Sequence, residues 1–84
     1  MSYEISILRR AQKELAKLPQ SDYQRIRNAI SNLANNPRPS GCKKLKGRPA
    51  WRIRIGDYRV IYEIRDRQLI IVVIDVGHRR DIYR

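Results

Sequence analysis

"WRIRIGDYRVIYEI", residues 51–64, decides how the second half of this chain folds. Gly56–Asp57 is a two-residue turn of the kind β-hairpins prefer, and apolar and polar residues alternate on both sides of it. Closing the hairpin there predicts a register in which Ile55 meets Tyr58, Arg54 meets Arg59, Ile53 meets Val60 and Arg52 meets Ile61. Strand side chains alternate between faces, so Trp51, Ile53, Ile55, Tyr58, Val60 and Tyr62 share one side, which covers the core. Arg52, Arg54 and Arg59 share the other. Like charges opposite each other on neighbouring strands are destabilising, so Arg54 facing Arg59 calls for a reason beyond the fold. Glu63 lies on the same face and can pair with one arginine but not with three.

Working outward, "RDRQ" (65–68) leads into "LIIVVIDV" (69–76), apolar at nearly every position. Such a run predicts a strand buried on both faces, placed centrally in its sheet. Upstream, "GCKKLKGRPA" (41–50) is a basic lead-in broken by Gly and Pro, with a short strand expected around Leu45. In the first half, "YEISIL" (3–8) alternates as a short strand with Tyr3, Ile5 and Ile7 on one face. "RRAQKELAKL" (9–18) then turns helical, with Ala11, Leu15 and Leu18 on one stripe, and Pro19 closes it. "SDYQ" (21–24) reads as a capping box, opening a helix whose stripe holds Tyr23, Ile26, Ala29, Ile30, Leu33 and Ala34. "NNPRPSG" (35–41) ends that helix. The order is β-α-α-β-β-β. It predicts a single α+β domain over 1–84, with a helical hairpin packed on one face of a small, mainly antiparallel sheet.

The loudest compositional feature is charge: 19 Lys+Arg against 8 Asp+Glu, a net +11. A surface that basic repels itself, so an anionic partner is the natural inference, nucleic acid foremost. No run approaches the roughly 18 apolar residues of a membrane-spanning helix, and no signal peptide is evident. Cys42 is the single cysteine and cannot form an intramolecular disulfide, which suits a reducing cytosol. No cofactor is expected, and metal catalysis finds no HExxH, Asp cluster or Cys/His ligand spacing. Walker and GxGxxG loops are absent too.

The arginine face admits a bland explanation, a solvated polar surface. Its mutual repulsion argues instead for a phosphate ligand, because planar guanidinium forks grip phosphate oxygens in pairs without reading sequence. Lys43, Lys44, Lys46 and Arg48 supply a basic, nucleic-acid-binding rim. A two-histidine nuclease is excluded because His78 stands alone. What remains for RNA is metal-free transesterification, in which the 2′-hydroxyl attacks its own phosphodiester while the protein aligns the bond and neutralises the growing charge. The tail adds two groups able to move protons, His78 and Tyr83, with ordinary pKa values of about 6.5 and about 10.

"KLKG" before the hairpin, the apolar strand after it and "VGHRRDIYR" (76–84) resemble the RelE family of toxins, within the RelE/ParE superfamily. The resemblance spans the whole chain and is most specific in its C-terminal half. It implies a RelE-like fold and a cytoplasmic toxin that cleaves mRNA in the ribosomal A site. It also implies an acidic, RelB-like antitoxin that neutralises the toxin and carries the complex to operator DNA. Carried over, the catalytic positions fall on Arg52, Arg54, Arg59, Arg79 and Tyr83, with Arg59 and Arg79 as the transition-state clamp and Arg80 beside them in nucleic-acid binding. Relatives carry lysines where this chain has Arg52 and Arg54. An arginine stays charged and cannot serve as a base, so that duty falls on His78 or on a ribosomal group. Two alternatives share the fold: a ParE-like inhibitor of DNA gyrase without RNase activity, and an inactive relative that only binds its antitoxin.

Overall fold

The computed structural model describes residues 2–78. Its elements are β1 (Glu4–Ile7), α1 (Arg9–Ala16), α2 (Gln20–Asn32), β2 (Lys43–Lys44), β3 (Trp51–Ile55), β4 (Tyr58–Arg65) and β5 (Ile70–His78). The five strands form one sheet in the order β1-β5-β4-β3-β2. Strands β2 to β5 pair antiparallel with their neighbours, whereas β1 runs parallel to β5, from Glu4 opposite Ile70 to Ile7 opposite Val73. A parallel pair needs a long crossover, and the helices with the β2–β4 meander supply it.

The hairpin has the register its turn predicts, through to Trp51 opposite Tyr62. Gly56 sits at φ 60 while Asp57 does not have a positive φ, as a type II′ turn requires of its two central residues. The short strand expected around Leu45 forms at Lys43–Lys44. β5 is an interior strand, as its unbroken apolar run implies, but the middle place belongs to β4. Accordingly, four consecutive β4 residues, Arg59 to Tyr62, are buried.

α1 and α2 lie on one face of the sheet. Ala11, Leu15, Ile26, Ile30 and Leu33 pack against Ile53, Val60, Tyr62, Ile71, Val73 and Val76, with Tyr3, Ile5 and Ile7 at the margin. Each fully buried Ile or Val contributes roughly 1.5–3 kcal/mol relative to exposure. With 8 residues, α1 is too short to persist alone, so this packing is what holds it. It ends at Ala16 rather than Leu18, its last turn tightened by Leu18 N–H donating to the Leu15 carbonyl at 3.1 Å.

The capping box does not form. α2 begins at Gln20 with Pro19 as N-cap and no side-chain capping bond. Tyr23 N–H already donates to the Pro19 carbonyl at 2.9 Å, so Ser21 lies inside the helix, where its backbone is no longer that of a cap. Among the described residues no helix is long and apolar enough to cross a membrane.

β5 departs from simple alternation at one place. Val73 stands opposite Tyr62, but Asp75 stands opposite Ile61, leaving Ile74 as the extra residue of a bulge. Beyond it Val76, Gly77 and His78 face Val60, Arg59 and Tyr58. Directly opposite residues share a face, so the bulge moves His78 to the helix side.

Candidate active site

Arg52, Arg54 and Arg59 do share the face away from the helices, with Arg54 directly opposite Arg59. They are not equivalent. Arg54 is exposed, whereas Arg52 and Arg59 keep only 4% and 7% of their surface accessible and each engages other groups of the protein. Their setting is partly apolar: Ile61 stands opposite Arg52, and Ile61 and Val72 are both buried on that face. A guanidinium held in such a setting acts in a lower dielectric than water, and its interaction with an anion is correspondingly stronger.

The register puts two carboxylates on this face, Glu63 and Asp75, and both turn outward. Arg65 Nη2 lies 3.4 Å from the Glu63 carboxylate, and Arg10 Nη2 lies 3.1 Å from that of Asp75. Gly77, opposite Arg59, adds no side chain. Lys43, opposite Arg52, extends the positive face, whereas Lys44 is opposite Trp51 on the other side. Lys46 and Arg48 lie exposed in the connection to β3.

His78 is not brought to the arginines. Its imidazole meets the Tyr58 ring edge to face, centroids 5.6 Å apart and planes at 80°, on the helix side. Tyr58 O–H in turn donates to Asp22 Oδ2 at 3.3 Å. Partial burial, reinforced by the Asp22 charge, raises the Tyr58 phenol pKa above its ordinary value. Reading Tyr58 only as core and Asp22 only as a capping-box residue misses this contact. The signal available in sequence is a tyrosine directly after the turn. Arg79, Arg80 and Tyr83 lie outside the described residues.

A groove of about 580 Å³ runs along β3 between α2 and the loop leading to β2. Ala29, Leu33, Ile53 and Ile55 give it an apolar lining, with Lys43 and Arg54 adding charge. β2 pairs with β3 only at Trp51 and Arg52, so the outer edge of β3 from Ile53 onward is uncovered by β2. The loop wall is fastened to the sheet. Tyr62 O–H donates to the Pro37 carbonyl at 2.7 Å, and burial pushes the Tyr62 phenol pKa well up. Arg38 stacks over Trp51 at 5.1 Å and pairs with Asp66 at 3.0 Å, while Tyr3 O–H donates to Asp66 at 2.6 Å. The Arg38 hydrogen bond, then that from Tyr3, holds the Asp66 carboxyl below its ordinary pKa. Among the described residues, no three His, Cys, Asp or Glu side chains converge as a metal site.

A basic face on a RelE-like α+β fold is the hallmark of one group of proteins, and the comparisons agree. Residues 5–83 match the family model described as the ParE toxin of the type II toxin–antitoxin system parDE. The chain belongs to the RelE/ParE superfamily of type II toxins. It is 33% identical to toxin RelG of Mycobacterium tuberculosis, over 100% of this chain and 99% of that protein. It is 29% identical to the mRNA interferase toxin RelE of Escherichia coli, over 94% of this chain and 85% of that one. Among solved structures, RelE of the archaeal RelE–RelB complex from Pyrococcus horikoshii superposes with a TM-score of 0.85 at 30% identity, covering 96% of this chain and 99% of that one.

Proposed function

We propose that this toxin is a ribosome-dependent endoribonuclease that cleaves mRNA in the ribosomal A site without a metal ion. The observation that carries the reading is the arginine face: two guanidinium groups held in a partly apolar setting beside a third that is exposed. In the reaction the 2′-oxygen bonds to phosphorus and the bond from phosphorus to the 5′-oxygen breaks, leaving a cyclic phosphate and a free 5′-hydroxyl. Negative charge grows on the non-bridging oxygens, where Arg59 and Arg52 stabilise it. Arg54 and Lys43 hold the flanking backbone. Arg79 completes the clamp near the leaving oxygen, and Tyr83 orients the base. The 2′-hydroxyl proton goes to a ribosomal group, because His78 is turned to the opposite face. A supply of protons from the ribosome accounts for dependence on it.

An acidic, RelB-like antitoxin silences the toxin. The groove beside β3 suits such a partner: an open strand edge offers backbone hydrogen bonds, the lining takes apolar side chains, and the charge matches carboxylates. Superposition on a RelE taken from a complex with RelB supports this.

A translation extract tests the reading. Wild type cuts mRNA within the A-site codon, and Arg59→Ala and Arg79→Ala each lower the rate by about 10²–10³-fold, the range seen when a transition-state donor is removed. Undiminished cleavage by both variants overturns the site assignment. The family model carries the ParE description, which favours gyrase as the competing target. Gyrase-trapped DNA breaks with intact mRNA would decide for it.

A further inference from the structure

From the geometry at the open end of the hairpin, we infer that Tyr58, oriented by Asp22, is a positioning residue that holds His78 and so sets where the basic tail leaves the sheet. The inference rests on the ribonuclease reading, in which Arg79 must meet the same phosphate as Arg59. The end of β5 needs such support. β1 covers β5 only from Ile70 to Val73, so Gly77 and His78 have β4 as their sole strand neighbour among the described residues. A glycine in a strand adds no packing, and strand ends are where local opening is easiest.

The helix side supplies the missing hold. Arg25 of α2 lies against the turn, its Nη2 3.0 Å from where a Cβ on Gly56 would sit, and 3.8 Å from the Asp22 carboxylate. Asp22 accepts the Tyr58 hydroxyl, and the Tyr58 ring meets His78 edge to face. The contact therefore runs from α2, through the first residue of β4, to the last residue of β5. None of these groups touches the arginine face, but Tyr58 precedes Arg59 in the chain and His78 precedes Arg79. Holding the pair together fixes the spacing between the two halves of the clamp. The reaction is sensitive to that spacing, since misplacement by about 1 Å can cost about 10²-fold in rate.

Steady-state cleavage and amide hydrogen exchange on the full chain test this together. In Tyr58→Leu and Asp22→Ala, kcat falls by about 10²-fold with KM held within about threefold, as expected for lost alignment rather than lost binding. Exchange at Val76–His78 quickens while Ile26–Ile30 of α2 does not change. Asp22→Asn restores the rate, because a carboxamide oxygen still accepts the Tyr58 hydroxyl. Asp22→Ala keeps the buried core intact, so it decides the matter should Tyr58→Leu fold poorly. An unchanged kcat in Asp22→Ala, or an Asp22→Asn variant no better than Asp22→Ala, overturns the inference. If wild type leaves mRNA intact, the ribonuclease reading falls, and unaltered exchange at Val76–His78 in Asp22→Ala would overturn the clamp separately.

Discussion

The two faces of the β3–β4 hairpin are drawn from alternate residues of one short stretch, yet burial means different things on them. On the helix side, Ile53, Val60 and Tyr62 are covered by α1 and α2, and removing their surface from water stabilises the fold. On the other side, Arg52 and Arg59 are also buried, but a guanidinium taken out of water costs free energy unless it is well partnered. The first face is the reason the protein folds. The second is tolerated by the fold and is best explained by the anion it grips. One strand pair can serve both ends because a period of two keeps the demands apart.

Mutations that act on one face alone can break this contrast. The largest effect is expected from Ile26→Ala, which opens a cavity under the sheet. It should destabilise the domain by about 2–5 kcal/mol in denaturant titration, a large share of the 5–15 kcal/mol typical of small domains. Cleavage per folded molecule should stay unchanged, and a specific loss of activity in the folded fraction would show that the faces are coupled. Arg54→Glu should do the reverse on a smaller scale. Replacing a like-charged pair with an opposite one raises stability by roughly 0.2–1 kcal/mol, while the inverted charge repels the phosphate backbone and lowers cleavage. A loss of stability would mean that Arg54 and Arg59 do not repel each other in the folded protein.

The smallest effect belongs to the latch at Asp66, which supports the groove without lying on either face. Its carboxyl is held below the ordinary value of 3.8 in the folded state, by Arg38 first and Tyr3 second. The unfolded chain therefore binds the proton more readily, so the latch contributes above the ordinary value and is lost as pH falls through the depressed folded value. Being exposed, it is weak and screened by salt. Melting curves at low salt should show a gentle acid decline that Asp66→Asn flattens. An unchanged acid limb in that variant would remove the latch from the account.

Much of the architecture was legible because it is locally coded. The turn chemistry of Gly56–Asp57 and the alternation beside it predict every pair of the hairpin, and helical spacing places Ala11, Leu15, Ile26 and Ile30 on the core side. The failures are equally physical. Pro19 started α2 earlier than the Ser21 signal suggests, because a proline cap places Ser21 within the first turn. For His78, the apolar run that marks β5 as interior also hides its parity. When both faces are apolar, no alternation remains to reveal a bulge at Ile74.

Residue order alone, then, was enough for the β-α-α-β-β-β order, the register of the hairpin and the segregation of arginines from core, since each follows from neighbours a few positions apart. Other features depend on which distant segments come together. The parallel pairing of β1 with β5, the burial of Arg52 and Arg59, the pairing of Asp75 with Arg10 and the turning of His78 toward Tyr58 are of this kind. They are settled by packing and charge between segments far apart in the chain, which local periodicity cannot carry.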